Sequence, residues 1–226
     1  MYLTLIIAFS VLFPLTHMLM SQGSIRSGLV TTLHGEWPFR AVYSVVSFLT
    51  LGPAAAIWWG HRQLGPELWD LPFWLTRAAA LPLMLLALTL LLLMLASPSP
   101  ASMLPGVFKV RGVLRITRHP LNMAFAAFGL AHLVANGALG DVVFFGQFVA
   151  LGVLGSYHQD ARKIREKGEP YREFMEQTSV MPFAAIILGR TRLEADDIAF
   201  PLFVIAIAAF VALTIFHGRL FGVAVF

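Results

Sequence analysis

Six long apolar stretches alternate with polar segments along the chain. They cover residues 1–20, 39–59, 73–96, 120–136, 142–157 and 198–220. Because a helix needs about 20 mostly apolar residues to cross a bilayer, each stretch predicts a transmembrane helix, the fourth and fifth being the shortest. Glycines interrupt those two stretches, and small residues let neighbouring helices pack closely in lipid. We therefore expect an all-α polytopic membrane protein with about six transmembrane helices, forming one domain over residues 1–226.

One long polar segment, 159–197, precedes the last apolar stretch. Its first part, DARKIREKG, predicts a cytoplasmic helix that Gly168 ends. Pro170 then opens a second helix, PYREFMEQ, since proline is tolerated in a first helical turn. The nine residues of MPFAAIILG are too few to span a bilayer, so we expect them to lie at the membrane interface or to tuck back into the protein.

Lysines and arginines sort to one side of this topology. Thirteen of the 16 fall in the odd-numbered loops, which marks those loops as cytoplasmic and places both termini on the other side. The first apolar stretch has no basic start and no small-residue cleavage site, so we interpret it as a retained helix rather than a signal peptide. This arrangement is typical of a multi-pass protein of the bacterial inner membrane.

Composition narrows the function classes. Of the 226 residues, 58% are hydrophobic and 12% are charged, whereas a soluble domain carries about 25% charged residues. An ordinary soluble enzyme is excluded, because so apolar a surface would not stay monomeric in water. The net charge is only +4 despite a pI of 9.9, so the basic residues indicate topology rather than nucleic-acid binding. The absence of cysteine excludes disulfides, thiolate metal sites and cysteine nucleophiles.

Ionisable side chains at membrane depth are costly, so each is a functional candidate. His17 falls in the first predicted helix and His132 in the fourth, where Phe125 and Phe128 share its face. Such an aromatic frame suits a flat cofactor such as haem, and it is also typical of an ordinary buried histidine bonded to a carbonyl. Several histidines without cysteine fit axial ligation of haem iron better than a zinc site.

Arginines mark two further candidate positions. Arg118 and His119 immediately precede Pro120, and we expect His119 to be exposed at the cytoplasmic mouth of the fourth helix. Arg118 there would bind a carboxylate of haem or of S-adenosylmethionine, or serve only as a positive-inside anchor. Arg40 shares a helix face with Tyr43, Ser44 and Ser47, either as a second carboxylate clamp or as a snorkelling interface residue.

The motifs LFPLTHMLMSQGSIRSGL, PFRAVYSVVS, RITRHPLNMAFAAFGLAHLVANG and ILGRTRLEADDIAF, in this order, resemble the NnrU family of integral membrane proteins. The family is associated with nitrite and nitric oxide metabolism in denitrifying bacteria, and it includes a haem b-dependent zeta-carotene isomerase of plants. The resemblance implies haem b ligated by His17 and His132, with a role in that metabolism or as an isomerase. The depths of the two histidines differ by more than roughly 10 Å along straight helices, in which case His119 is the better partner for His17 and His217 for His132.

Two alternatives stay open. The stretch from RHP to MPF is similar to isoprenylcysteine carboxyl methyltransferases. That resemblance implies an S-adenosylmethionine site at the cytoplasmic mouth, held by Arg118, His119, Tyr171 and Arg172. The other alternative is an accessory protein without catalysis, which docks on a partner membrane enzyme. In each case the expected partners are the lipid bilayer and a lipophilic small molecule or membrane enzyme, without nucleic acid.

Overall fold

The computed structural model describes residues 1–101 and 108–225, and in these ranges the regular structure is helical. Among the described residues, β structure is confined to an isolated bridge between Glu67 and Ala138, so the all-α fold class is confirmed. The α-helices are α1 (Tyr2–Ser21), α2 (Gly23–Thr32), α3 (Glu36–Gly60), α4 (Phe73–Leu93), α5 (Val113–Ile116), α6 (Pro120–Ala135), α7 (Leu139–Lys167), α8 (Glu169–Glu176), α9 (Ala184–Ile187) and α10 (Phe200–Phe221), with a 3-10 turn at Ala195–Asp197.

Five of these helices, α1, α3, α4, α7 and α10, are long and apolar enough to cross a membrane, as expected of a polytopic membrane protein. The fourth predicted span differs. Helix α6 has 16 residues, about 24 Å, which is less than the roughly 30 Å of a bilayer core. It begins at Pro120, which disfavours helix in the residue before it, and it ends where the Gly137 carbonyl turns to accept a hydrogen bond from Leu68 N at 2.8 Å.

The fifth predicted span is longer than expected. Helix α7 runs without a break for 29 residues, so the expectation of a separate helix over DARKIREK is wrong. No proline interrupts this stretch, and the helix continues until Gly168, whose positive φ of 65° ends it as predicted. Helix α8 follows at the predicted place, with Pro170 in its first turn. A single helix therefore carries both an apolar and a charged half.

Two short helices, α2 and α9, lie in the segments between the long helices. Helix α2 lies in the first loop and was not predicted, because its sequence, GSIRSGLVTT, is rich in glycine, serine and threonine. MPFAAIILG contains only the single-turn helix α9, held by a hydrogen bond from Phe183 N to the Ile116 carbonyl at 2.9 Å. Ala185 is buried there while Ile187 is 80% exposed, so one side of the turn packs on the protein.

The described residues group into two compact units, each formed from two separate stretches of the chain. Unit 1 comprises 1–80 and 129–162, and unit 2 comprises 81–128 and 163–226. In unit 1, α1 and α3 are antiparallel: Tyr2 stacks on His61 at one end, with ring centroids 3.8 Å apart, and His17 meets Tyr43 at the other. In unit 2, the side chains that form a buried cluster are Ala101, Leu114, Tyr171 and Phe174.

A network of ion pairs and hydrogen bonds around Arg115 joins two segments of unit 2. The Arg115 guanidinium lies 2.7 Å from Asp197 and 3.0 Å from Glu194, and it also donates to the Arg192 carbonyl at 2.8 Å. The other Asp197 oxygen accepts a hydrogen bond from Gly112 N at 2.7 Å. A planar guanidinium presents several donors in a fixed fork, which suits it to hold several oxygens at once. This network fixes the segment before α10 to the segment before α6.

Candidate functional site

His17 lies where α1 and α3 pack against each other, half-buried within unit 1. Its Nδ1 is 3.2 Å from the Ser47 hydroxyl, and its backbone carbonyl accepts a hydrogen bond from the Tyr43 hydroxyl at 3.2 Å. The Tyr43 ring lies 4.5 Å from the imidazole and the Phe13 ring 5.4 Å. Tyr43 and Ser47, four residues apart on the predicted face of α3, therefore turn toward His17, whereas Ser44 is exposed.

Arg40 continues this face by one turn toward the start of α3. Its guanidinium lies 5.2 Å from the Trp37 ring centroid, a cation–π contact. Its Nε is buried and, within the described part of the chain, has no hydrogen-bond partner. A buried N–H donor without an acceptor is costly, so this position suits a carboxylate or phosphate oxygen. Arg162, at the charged end of α7, also interacts electrostatically with Tyr43, which adds positive charge beside His17.

His132 lies in a different environment of unit 1. Its ring stacks on Phe145 of α7, with centroids 4.5 Å apart and planes at 19°, and its backbone carbonyl accepts a hydrogen bond from the Asn136 amide at 2.8 Å. The sequence predicted Phe125 and Phe128 as its frame, and Phe128 lies half-buried one turn before it on α6. The stacking partner Phe145 was missed, because sequence periodicity on α6 carries no information about which α7 ring faces it.

The contacts of α3 measure the separation between the two histidines. Phe145 also touches Trp58, with ring centroids 5.0 Å apart, and Trp58 is eleven residues from Ser47, about 16 Å along the helix axis. Side chains lean a few ångströms along a helix, so the His17 and His132 rings differ in depth by about 10 Å or more. Two axial nitrogens on one iron lie only about 4 Å apart, with each bond near 2 Å.

The structure therefore does not bring the two expected ligands together, and their pairing on one iron stays a prediction. The surroundings of His17 do fit part of a haem site. They offer an imidazole whose Nε2 makes no hydrogen bond among the described residues, together with the unsatisfied guanidinium nitrogen of Arg40 on the same face. His119 and His217, the alternative partners, belong to unit 2, where the His217 Nδ1 is 2.6 Å from the Val223 carbonyl.

Asp141, in the first turn of α7, was missed by sequence reasoning. It is 2% exposed, and its Oδ1 accepts a hydrogen bond from Trp58 Nε1 at 2.6 Å. Trp58 in turn stacks on Phe144, with ring centroids 4.9 Å apart. The positive N-terminal end of the α7 dipole stabilises the negative charge of Asp141, and the hydrogen bond from Trp58 links α7 to α3. A single acid at the edge of an apolar stretch gave no signal in the sequence, because its partner is 83 residues away.

Arg118 and His119 are buried in unit 2, at 7% and 3% exposure, so the expected exposure of His119 is wrong. The main chain around them is held by the segment that precedes α9: Arg118 N donates to the Ser179 carbonyl at 2.9 Å, and the Arg118 side chain to the Thr178 carbonyl at 3.2 Å. Ser99 donates to the Arg118 carbonyl at 2.6 Å. A segment 60 residues away therefore covers the motif, which the local pattern did not show.

The methyltransferase alternative places its cofactor site at Arg118 and His119 as well, together with Tyr171 and Arg172. Tyr171 is fully buried against Phe174, with ring centroids 5.9 Å apart, so its side chain is part of the core of unit 2. Arg172 is exposed and lies 3.8 Å from Glu169 on the same helix. Arg118 thus donates to a backbone carbonyl and Tyr171 is enclosed, and binding of S-adenosylmethionine by these residues stays a prediction.

Two curated relatives bear the name 15-cis-zeta-carotene isomerase, chloroplastic. The Arabidopsis thaliana protein is 28% identical over 194 residues, which are 76% of this chain and 50% of that protein. The Zea mays protein is 36% identical over 85 residues, which are 38% of this chain and 23% of that protein. The chain thus spans half or less of the length of these relatives, and no solved structure matches it.

The family comparison covers nearly the whole chain. A family model described as NnrU protein matches residues 5–225, a range that includes α2 to α10, all of α1 but its first three residues, and both His17 and His132. The five long apolar helices agree with a protein that crosses the membrane several times. This chain belongs to the NnrU family and is a multi-pass membrane protein.

Proposed function

We propose that this protein isomerises a double bond of a lipophilic polyene within the membrane, using haem b held by His17. The observation that carries the proposal is the arrangement around His17, a half-buried imidazole inside a transmembrane helix with its Nε2 making no hydrogen bond among the described residues. An ionisable group at this depth is costly and is a functional site by default. The name of the curated relatives supplies the reaction class, and their carotene substrate is lipophilic, as a membrane-embedded site requires.

The residues of the chain divide the binding of haem between them. His17 Nε2 would hold the haem iron, and haem b, when bound, would supply a redox-active metal. The Arg40 guanidinium lies toward the end of the helix, where propionate carboxylates reach water, and its buried Nε would find an acceptor there. Arg162 adds a second positive charge near the same end of unit 1. His132 stays the expected second ligand only if the 10 Å difference in depth closes when haem binds.

The test is an optical spectrum of the full chain, expressed with an ample supply of haem and purified in mild detergent. We expect a Soret band that is lost or strongly weakened in His17→Ala. His34→Asn is the matched control: His34 is exposed in the first loop with a φ of 59°, a conformation that asparagine tolerates, so its band should equal that of the unchanged protein. His132→Ala then decides whether His132 is also a ligand.

Two results would redirect the proposal. A protein without a Soret band would refute haem binding. It would favour the accessory role in nitrite and nitric oxide metabolism, which co-purification of a partner enzyme from native membranes would then support. A haem protein that leaves cis polyenes unchanged under both oxidising and reducing conditions would refute the isomerase and keep the cofactor. The bacterial inner membrane is the proposed location, although the plant relatives are chloroplastic.

A further inference from the structure

Ser47 is at the centre of the hydrogen bonds that link α1 to α3. Its hydroxyl donates to the Tyr43 carbonyl, one turn earlier on α3, with a distance of 2.8 Å. The same oxygen lies 3.2 Å from His17 Nδ1. Tyr43 closes the circuit, because its own hydroxyl donates to the His17 backbone carbonyl at 3.2 Å. Three side chains on two helices therefore hold one another in place.

The direction of each hydrogen bond follows from the number of protons. A serine hydroxyl carries a single hydrogen, and a backbone carbonyl is only an acceptor. Since Ser47 gives its hydrogen to the Tyr43 carbonyl, its oxygen is left to accept, and His17 Nδ1 must be the donor. A neutral imidazole carries one N–H, so a hydrogen on Nδ1 leaves Nε2 with a bare lone pair.

We propose that Ser47 is a positioning residue, which fixes the Nδ1–H tautomer and the ring orientation of His17 so that Nε2 serves as the metal ligand. The inference rests on the proposed haem function. Metal-bound histidines almost always donate their other N–H to a nearby oxygen, and this hydrogen bond raises the basicity of the ligating nitrogen. The Tyr43 and Phe13 rings, at 4.5 and 5.4 Å, restrict rotation of the imidazole further.

The consequence for haem is directional. Without the Ser47 oxygen, His17 loses the acceptor for Nδ1–H, so Nε2 becomes a weaker electron donor and the ring is free to turn. Loss of such a partner typically weakens metal binding 10- to 100-fold. A weaker donor destabilises ferric iron more than ferrous iron, so the reduction potential should rise. Looser packing that admits water would instead stabilise the more highly charged ferric form and lower the potential.

Three variants test the assignment in the full chain, by haem titration and redox titration in detergent. Ser47→Ala should bind haem about 10- to 100-fold more weakly and with a higher potential. Ser47→Thr keeps a hydroxyl that can bond back to a carbonyl in the preceding turn, so it should restore both properties. Ser44→Ala is the control, because Ser44 is exposed on the same helix and should behave as the unchanged protein.

A second measurement does not need haem or the Ser47→Ala variant. Nitrogen NMR of the haem-free, unchanged protein labelled at histidine reports which ring nitrogen carries the hydrogen, and His17→Ala identifies the signal. We expect His17 to show a protonated Nδ1 and a bare Nε2. A protonated Nε2, or haem binding and potential unaffected in Ser47→Ala, overturns the role of Ser47. A protein with the expected tautomer but no haem affinity overturns the proposed function instead.

Discussion

Gly137→Ala tests the tight turn between α6 and α7. The backbone of Gly137 does not have a positive φ, so alanine is allowed there by its own conformation. The obstacle is space: a Cβ at this position would stand 2.8 Å from the Trp69 carbonyl carbon, with the carbonyl oxygen closer still. Carbon atoms pack favourably at about 3.5–4.0 Å, so the segment 64–69 would have to withdraw by more than about 1 Å, the oxygen requiring the larger movement.

The cost follows from what that segment holds. Four hydrogen bonds join it to the end of α6 and the start of α7: Leu68 N to the Gly137 carbonyl, Leu139 N to the Pro66 carbonyl, Gly140 N to the Leu64 carbonyl and Trp69 Nε1 to the Leu133 carbonyl, at 2.8 to 3.0 Å. Each contributes about 1 kcal/mol net, and overpacking by itself costs about 1–3 kcal/mol. If one of the four hydrogen bonds is lost, Gly137→Ala lowers the free energy of unfolding by about 2–4 kcal/mol.

The assay is denaturant unfolding of the detergent-solubilised protein, with Gly146→Ala as the matched control. Gly146 lies within α7, and no atom would come within 4 Å of an added Cβ. Alanine there should be neutral or stabilise by up to about 1 kcal/mol, because it favours helix over glycine. If both variants unfold with the same midpoint, the close approach of segment 64–69 to Gly137 is not a feature of the folded protein.

Two further pairs of variants test contacts within each unit. Trp58→Phe keeps the aromatic stack but deletes the donor to buried Asp141. In a double-mutant cycle measured with the same unfolding assay, this change should cost about 1.5–3 kcal/mol more in the unchanged protein than in an Asp141→Ala background. Strictly additive effects of the two substitutions would contradict the hydrogen bond. Arg115→Lys replaces the forked guanidinium beside Asp197 by a single point charge, and it should lower the stability of unit 2 by about 1–2 kcal/mol, as measured by amide hydrogen exchange. Arg172→Lys is the control and should change little, because Arg172 lies at the exposed surface. Equal protection of the amides in both variants would contradict the network.

The long helices could be predicted from sequence because lipid imposes a local condition. A segment in a bilayer must satisfy its backbone groups within itself, so a run of about 20 apolar residues is already a helix before any tertiary contact forms. Helices α1, α3, α4 and α10 follow that condition within a few residues. The condition predicted the bounds of α6 but not that this helix is too short to span, and it missed the length of α7, which continues to Gly168 because no breaker precedes that residue.

Part of the candidate site could likewise be predicted from the sequence. The spacing of Arg40, Tyr43 and Ser47 placed them on one face of α3, since helical periodicity is a local property. That this face meets His17, and that Ser47 and not another group reaches Nδ1, required the packing of two helices whose contacts lie 26 to 30 residues apart. The same holds for His119, which local sequence left exposed and which a distant segment buries.

The sequence by itself determined that this is a helical membrane protein, where five of its long apolar helices lie, and that a few histidines and arginines at membrane depth are its candidates for chemistry. The tertiary structure alone decided which of them share an environment. It joined His17 to Ser47 and Tyr43, enclosed Arg118 and His119, gave Asp141 its indole partner and separated His17 from His132. The physical reason is that helix formation in lipid is settled within each segment, whereas side-chain partners are set by how the helices pack.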